Sequence, residues 1–208
     1  MLSGLLSVPP TTATFDFLLN WYVVSAILAG GFVVGLLLFF AFKYRAKPGA
    51  PPPTRGPESI WVVVAVVVIM ALALGAAGYQ TFASSTNIEV PNDPNAITIN
   101  VTGFQWGWNF TYPNGNFAVG NLTVPAGQVI ILNITSKDVY HTFGIAMLAV
   151  KEDAIPGKVN QAWFEVPTQG TYIDAIRCYQ LCGVGHSFMV ANLTVVSDAA
   201  WNGFMGSG

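Results

Sequence analysis

The stretch CYQLCGVGHSFM at residues 178–189 contains both cysteines of the 208-residue chain and one of its two histidines. The second histidine, His141, lies upstream of it. Two thiolates, two imidazoles and a thioether form a ligand set suited to a soft, redox-active metal, and copper fits this set best. The stretch is short enough for its four ligand-type side chains to converge. We expect His141 to approach them from a neighbouring loop, an arrangement that a sandwich of strands allows.

Other interpretations of these residues exist. Two cysteines outside the membrane often form a disulfide, but a disulfide alone needs neither a histidine nor a methionine after Cys182. A mononuclear blue-copper site needs two histidines, one cysteine and a weak methionine ligand. That site would use His141, Cys182, His186 and Met189 and leave Cys178 without a role. Zinc accepts cysteine and histidine but has no use for a thioether. Cys178 therefore favours two copper ions over one.

The pattern C-x-x-x-C-x-x-x-H-x-x-M, preceded by D-V-x-H at residues 138–141, resembles the CuA site of cytochrome c oxidase subunit II. The resemblance covers nearly the whole chain. In that family, two copper ions share two cysteine sulfurs, and each ion binds one histidine. The resemblance implies that the bridges are Cys178 and Cys182, the imidazoles His141 and His186, and the weak outer ligands the Met189 thioether and the Gln180 backbone carbonyl.

Gln180 departs from the residue common at its position in the family. Many members have a glutamate there, whose side chain helps to bind a magnesium ion. A neutral amide is a much poorer ligand for a hard dication, so we assign no magnesium ion to this chain. The implied copper ligand is a backbone carbonyl, which the substitution leaves in place.

The composition is that of a membrane protein. Hydrophobic residues make up 53% of the chain and charged residues only 9%, and the mean hydropathy is +0.54. The net charge of −2 provides no basic surface for nucleic acid. Residues 85–208 contain more acidic than basic side chains, and an acidic surface suits a basic electron donor.

Two uncharged stretches, residues 17–42 and 60–80, are each long enough to span a bilayer as a helix. The loop between them, residues 43–59, is rich in proline and contains Lys43, Arg45, Lys47 and Arg55. By the positive-inside rule this loop is cytoplasmic. We therefore expect a transmembrane hairpin over residues 1–84, with both termini and the remaining domain on the outer face of a cell or organelle inner membrane.

Residues 85–208 have the pattern of an all-β domain. Apolar and polar residues alternate at 97–102 and 128–135, and further strands are predicted near 117–124, 159–166, 170–177 and 187–197. Several short strands at this spacing indicate a β-sandwich or barrel. The family resemblance implies a cupredoxin-like Greek-key barrel that carries the CuA site.

Two further motifs resemble functional segments of the family. Glu58-Ser59-Ile60-Trp61 is similar to E-x-I-W, whose glutamate lies at the entrance of a proton path, although an acid is also favourable in the first turn of a helix. Gln105-Trp106-Gly107-Trp108 resembles Q-W-x-W, whose first tryptophan receives the electron, although Gly107 replaces the tyrosine common in the family. We assign electron entry to Trp106 and core packing to Trp108 and Phe110.

Asn-x-Thr, the acceptor motif for N-linked glycans, occurs five times in the outer domain. Asn and Thr are also ordinary residues on strand surfaces. The five asparagines are Asn100, Asn109, Asn121, Asn133 and Asn192.

The resemblance implies a subunit of a terminal haem-copper oxidase. Electrons from cytochrome c or a small blue-copper protein would enter this chain and pass to haem in subunit I. Oxygen would be reduced to water there, coupled to proton translocation, and this chain would not itself reduce oxygen. The alternatives are the CuA subunit of a nitric oxide reductase and a membrane-tethered mononuclear cupredoxin. A quinol oxidase subunit of this fold lacks the copper ligands.

Overall fold

The computed structural model describes residues 10–45, 49, 60–85 and 89–206. The chain divides into two compact units, which are considered separately. The first contains the greater part of helix α1 (Pro10–Lys43) and helix α2 (Ile60–Ser85). Both predicted helices are confirmed, but α1 begins before residue 17 and α2 continues beyond residue 80. Within them, Thr12–Lys43 and Ile60–Ser84 are long and apolar enough to cross a membrane.

The two long helices are apolar around their whole circumference. Leu28, Phe32 and Leu37 are each more than 60% exposed on α1, and Ile69 and Leu72 are similarly exposed on α2. A helix without a polar face needs an apolar environment on all sides, which lipid or neighbouring transmembrane helices provide. The composition of both helices therefore fits a membrane protein.

Polar contacts of Tyr22 join the two helices within their unit. The Tyr22 hydroxyl on α1 is hydrogen-bonded to the Thr81 hydroxyl on α2. Both hydroxyls also lie within donating distance of the Ala77 carbonyl oxygen, at 3.3 and 3.0 Å. Hydrogen bonds between helices in an apolar environment contribute about 1 kcal/mol each, so this contact helps to set the pairing of α1 with α2.

The second unit is a two-sheet β domain followed by a short helix. The elements are β1 (Ile97–Phe104), β2 (Gly107–Thr111), β3 (Phe117–Val119), β4 (Asn121–Pro125), β5 (Val129–Ser136), β6 (His141–Ile145), β7 (Val150–Ala154), β8 (Asn160–Glu165), β9 (Gly170–Cys178), β10 (Val190–Val196) and α3 (Asp198–Gly206). One sheet has the strand order β3-β2-β1-β5-β8 and the other β4-β10-β9-β6-β7. The pairs β1–β5 and β4–β10 are parallel, and the remaining pairs are antiparallel.

The predicted all-β domain is confirmed, with corrections to individual strands. The strand predicted near 117–124 is two strands, because Gly120 adopts a φ of 71° between β3 and β4. The strand predicted over 187–197 begins only at Val190, because His186–Phe188 forms a 3₁₀ turn. The prediction also omitted β2, β6 and β7. All five residues of β6 are buried, so it shows no alternation, and β7 consists largely of charged residues.

The core lies between the two sheets and is built by alternation. Every second residue of β1, β5 and β10 points inward, and these inward residues are buried aliphatic side chains for most of each strand. Trp108 and Phe110 on β2 are fully buried, as expected for packing residues. The Trp108 ring meets Phe143 of β6 edge to face, with centroids 5.1 Å apart.

Helix α3 closes one end of the sandwich. Its Trp201 is 92% buried and packs against Tyr112, with ring centroids 5.9 Å apart. Two side-chain amides fix the helix C-terminus: Asn114 donates to the Met205 carbonyl and Asn116 to the Phe204 carbonyl, at 2.8 and 2.9 Å. These bonds satisfy carbonyl groups that a helix end leaves without partners.

Trp201→Ala should lower the free energy of unfolding of the β domain by about 3–5 kcal/mol. The substitution removes a buried indole and leaves a cavity that the surrounding residues do not fill. Denaturant unfolding of the full chain in detergent, followed by near-ultraviolet circular dichroism, measures this change. Asn202→Ala, at the exposed neighbouring position, should shift the same curve by less than about 0.5 kcal/mol. Equal effects of the two substitutions would contradict the packing of α3 on the core.

Candidate metal centre

His141 opens strand β6 and is fully buried. The expectation that it would come from a loop was wrong, because its backbone pairs with Ala154 of β7. Phe143 of β6 lies opposite Cys178 of β9, so His141, two residues earlier, extends past the last residue of β9. The end of β6 therefore presents the imidazole to the chain segment that leaves β9.

The segment from Cys178 to Met189 forms a closed loop between β9 and β10. Its first and last residues pair directly, since the Cys178 N–H donates to the Met189 carbonyl at 3.1 Å. Inside the loop, the His186 N–H donates to the Gly183 carbonyl and the Met189 N–H to the His186 carbonyl. These bonds produce the 3₁₀ turn that holds His186 and Met189 on the same side as the cysteines.

The predicted ligand atoms form a compact cluster. The sulfurs of Cys178 and Cys182 lie 3.9 Å apart. The His141 Nδ1 is 3.8 Å from the Cys178 sulfur, and the His186 Nδ1 is 3.6 Å from the Cys182 sulfur. The Met189 sulfur is 3.7 Å from that of Cys182. The structure thus brings together all five side chains that the sequence proposed.

This donor set fits a soft metal. Both cysteines are free and buried, so the cluster is not a disulfide. Half of the sulfur–sulfur separation is shorter than a metal–sulfur bond, which is about 2.3 Å for zinc. An ion on either side of the line that joins the two sulfurs can therefore lie at bonding distance from both. The thioether of Met189, buried beside Cys182, is a ligand for copper but not for zinc.

The environment of Cys182 favours a metal-bound form over a free thiolate. Burial, together with the proximity of Cys178, raises the pKa of the Cys182 thiol to about 11. Without a metal, this thiol is neutral at physiological pH. A bound cation supplies the opposite charge that makes the thiolate stable in a buried position.

Asp138 orients the His141 ring. One carboxylate oxygen lies 2.9 Å from His141 Nε2, and the carboxylate also accepts the backbone N–H groups of Gln105 and Val139 at 2.7 and 2.6 Å. Burial acts to raise the pKa of Asp138, but these hydrogen bonds outweigh it and hold the pKa below its usual value. A carboxylate at Nε2 keeps the proton there and leaves Nδ1 free to bind a metal.

Gln180 lies within the ligand loop. Its backbone carbonyl oxygen is 3.2 Å from the Cys178 sulfur, which is consistent with its assignment as an outer ligand. Across residues 10–45, 60–85 and 89–206, the single group of three or more His, Cys, Asp or Glu side chains close enough to share an ion is His141, Cys178 and Cys182.

Trp106 contacts the ligand loop and is 40% exposed. Its indole N–H donates to the Cys182 carbonyl at 3.2 Å, and the Gln105 amide donates to the same oxygen at 2.8 Å. The indole ring lies on Gly185, where an added Cβ would be 2.4 Å from a ring carbon. Trp106 therefore connects the molecular surface to the backbone of a predicted metal ligand.

The glycine that replaces the family's tyrosine has a local structural reason. A Cβ at Gly107 would lie 2.7 Å from the Phe104 ring, so that ring occupies the space of a side chain at this position. Gly107 and Phe104 are paired residues at the ends of β2 and β1. The departure therefore changes the surface beside Trp106 without moving Trp106 from the loop.

Sequence reasoning missed two residues of the site. Asp138 was noted only as part of a motif, although an acid three residues before a ligand histidine is a recognisable signal for orientation. Gln105 was likewise given no role. Glu58, the predicted entrance of a proton path, lies outside the described residues.

Comparisons with known proteins agree with this geometry. Residues 116–196 match the family model for the periplasmic domain of cytochrome c oxidase subunit II. The heme-copper oxidase subunit 2 of Aeropyrum pernix is 30% identical over 222 residues, which cover 98% of this chain and 93% of that protein. This chain belongs to the cytochrome c oxidase subunit II family. It is accordingly subunit II of a haem-copper oxidase complex, and the family implies a copper centre.

Further relatives support the family assignment. A probable cytochrome c oxidase subunit 2 of Rickettsia bellii is 30% identical over 219 residues, covering 92% of this chain and 77% of that protein. Among solved structures, the periplasmic domain of oxidase subunit II (CoxB) from Bradyrhizobium japonicum matches with a TM-score of 0.52 and 32% identity. That match covers 57% of this subunit II and 96% of the CoxB domain. It confirms the predicted cupredoxin-like architecture of the β domain.

Gly185→Ala should displace Trp106 and cost about 1–3 kcal/mol of stability, because the new methyl group overlaps the indole. The φ of Gly185, −90°, is accessible to alanine, so the effect is steric. ¹⁹F NMR of the fluorotryptophan-labelled full chain in detergent, with the Trp106 resonance assigned by Trp106→Phe, measures the displacement. Gly203→Ala, where an added Cβ meets nothing within 4 Å, should leave the resonance in place. An unshifted resonance in Gly185→Ala would contradict the stacking.

Proposed function

We propose that this subunit II holds a binuclear copper centre of the CuA type and uses it to accept electrons from an external donor. The observation that carries the proposal is the paired arrangement of the donor atoms. Each sulfur lies next to a different imidazole nitrogen, Cys178 next to His141 and Cys182 next to His186. The two sulfurs face each other, so both can be shared between two ions, each with its own histidine.

The two weak donors fall on opposite members of this pair. The Met189 thioether lies beside Cys182, whereas the Gln180 carbonyl lies beside Cys178. A mononuclear blue-copper site would use a single cysteine and leave the second sulfur as a buried spectator. The position of Cys178 between His141, Gln180 and Cys182 therefore supports two ions.

The protein's contribution is a rigid and partly water-excluding framework. Cys178 and Cys182 would hold the two copper ions together, and such a pair would spread a transferred electron so that the charge at each ion changes less. His141 is fixed by Asp138 and by its place in β6, and Met189 is fixed by its backbone bond to Cys178. Because strands and hydrogen bonds hold these ligand residues in place, a change of oxidation state would require little rearrangement of the protein.

Electron entry is proposed to occur at Trp106. This side chain is exposed on one side and hydrogen-bonded to the Cys182 carbonyl on the other, so it provides a continuous covalent and hydrogen-bonded path to a ligand. The donor would be a cytochrome c or a small blue-copper protein. The acceptor would be haem in subunit I, because both histidines of this chain lie at the metal centre.

The proposed complex reduces oxygen to water in subunit I and couples the reaction to proton translocation. In this arrangement α1 and α2 anchor the chain in the membrane beside subunit I. The basic loop between them is cytoplasmic by the positive-inside rule, which places both termini and the copper domain on the outer side. The outer position gives a soluble or surface-bound donor access to Trp106.

Cys178→Ser should reduce the copper content from about two ions per chain to one or none, because a serine hydroxyl is a poor bridge between soft ions. Elemental analysis of the purified complex measures the ratio, and electron paramagnetic resonance shows whether the unpaired electron couples to two copper nuclei or to one. Ser187→Ala, in the same loop at an exposed position, should keep the wild-type ratio. A normal ratio and an unchanged spectrum in Cys178→Ser would exclude the bridging role.

Trp106→Leu should slow oxidation of the donor about tenfold or more, corresponding to about 1.4 kcal/mol or more of barrier, while both copper ions stay bound. Stopped-flow mixing of reduced donor with the oxidised complex gives the rate, and elemental analysis gives the metal content. Phe117→Leu is the matched control, because Phe117 is 61% exposed on β3 and lies opposite the end of β2 far from Trp106. Wild-type kinetics in Trp106→Leu would remove this residue from the electron path.

A further inference from the structure

Charged residues are absent from seven of the ten strands of the β domain, namely β1 to β6 and β10, and from the whole segment 94–136. Strand β6 is fully buried, and we call the other six, β1 to β5 and β10, the uncharged strands. The charged strand residues are confined to β7, β8 and β9. A large outer surface without charge needs another source of solvation if it faces water.

The outward positions of the uncharged strands carry repeated Asn-x-Thr motifs. The motifs begin at Asn100 on β1, Asn109 on β2, Asn121 on β4, Asn133 on β5 and Asn192 on β10. In each motif the middle residue is a buried aliphatic or aromatic side chain, so the Asn and the Thr both point outward. Asparagine is disfavoured in strands, so strand propensity does not explain five of them at such positions.

We propose that Asn100 and Asn192 are N-glycosylation sites, one on the outward side of each sheet of the domain. The substrate class is an oligosaccharide carried on a lipid phosphate or pyrophosphate. The anomeric carbon forms a bond to the asparagine Nδ2 while its bond to the phosphate oxygen breaks. The lipid phosphate leaves, and one amide proton passes to base.

The hydrogen bonds select Asn100. Three side-chain amides form a chain across the sheet: Gln161 Nε2 donates to Asn133 Oδ1 at 2.9 Å, and Asn133 Nδ2 donates to Asn100 Oδ1 at 3.1 Å. Asn100 is the last member and is exposed, and no hydrogen bond within residues 89–206 uses its Nδ2. A glycan on that nitrogen leaves every bond of the amide chain intact.

The same criterion selects Asn192. Its Oδ1 accepts the backbone N–H of Asp174 at 3.0 Å, whereas its Nδ2 makes no hydrogen bond within the described β domain. Asp174 has a left-handed φ of 51° and lies at an irregular point of the β9–β10 pairing. The Asn192 side-chain oxygen accepts the backbone N–H of Asp174 at that point. Modification of the nitrogen keeps this bond.

The other three asparagines are less suited to modification. The Nδ2 of Asn121 donates to Thr123 at 3.0 Å, and that of Asn133 donates to Asn100, so a sugar on either nitrogen competes with an existing contact. The side-chain oxygen of Asn109 is buried without a partner, which places its amide group partly inside the surface. We therefore expect these three to remain unmodified.

The test is mass spectrometry of chymotryptic peptides from subunit II, purified within its complex from the membranes of its source organism. The expected result is a hexose- or hexosamine-containing mass increment at Asn100 and Asn192, removed by chemical deglycosylation. Unmodified peptides at both positions would overturn the proposal. So would modification confined to Asn109, Asn121 or Asn133, because that result contradicts the hydrogen-bond criterion.

Variants of similar shape test whether the mass increment is carried by the asparagine Nδ2. Asn100→Asp and Asn192→Asp keep the accepting oxygen, so the fold is retained while the increment at that position should be lost completely. Thr102→Ser preserves the first motif and should keep the increment, whereas Thr102→Ala should abolish it. Thr98→Ala, on the same outer face of β1 but outside any motif, is the matched control and should change nothing. Retention of the increment in Asn100→Asp would overturn the assignment.

This inference rests on the proposed outer location of the β domain, and one additional measurement separates the two. A membrane-impermeant lysine reagent on intact cells should label Lys137, Lys151 and Lys158 if the domain faces outward. Labelled lysines with unmodified Asn100 and Asn192 overturn the glycan proposal and leave the orientation in place. Unlabelled lysines overturn the orientation and, with it, the glycan sites. The copper content is unaffected in either case, so the metal proposal is judged independently.

Discussion

The register between β6 and β9 is the constraint on which the metal centre depends. Phe143 lies opposite Cys178, which places His141 beyond the last paired residue of β9 and beside the ligand loop. In a strand, successive side chains alternate between the two faces, so a shift of one residue would turn His141 away from the cysteines. Such a shift would also move Phe143 out of its contact with Trp108, so the packing of the fully buried strand β6 opposes it. Core packing thereby determines the position of the ligand.

A second constraint is the cost of placing two thiols next to each other in a buried position. Burial together with the neighbouring Cys178 raises the pKa of the Cys182 thiol. The loop is nevertheless held in its ligand-binding shape by uncharged backbone hydrogen bonds, such as that from the Cys178 N–H to the Met189 carbonyl. Neutral hydrogen bonds thus support the shape of the loop, while a bound cation would supply the opposite charge that two neighbouring thiolates require.

Several features of this chain could be read from its sequence because they depend on local patterns. The two helices follow from uninterrupted apolar stretches, and β1, β5, β8 and β9 follow from alternation bounded by turn residues. The five side chains proposed as metal ligands follow from ligand type and spacing, and the structure brings them together. The missed features depend on tertiary contacts. Strand β6 is buried on both faces and so lacks alternation. The role of Gln105 arises from a partner far away in the chain, the Cys182 carbonyl, and Asp138, which orients the nearby His141, is itself held by the distant backbone N–H of Gln105.

The connection between Trp106 and the ligand loop is built without a formal charge. The Cys182 carbonyl accepts one hydrogen bond from an indole and one from a side-chain amide, both neutral donors. A lysine or arginine in either position would bind the carbonyl more strongly, but its fixed charge would act on the nearby thiolates and shift the potential of any metal they hold. The carboxylate of Asp138 is the exception, because its charge reaches Cys182 and contributes to the raised pKa of that thiol, although the carboxylate is hydrogen-bonded to His141 and two backbone N–H groups. Neutral donors thus fix the loop on the Trp106 side, whereas the fixed charge of Asp138 lies on the His141 side.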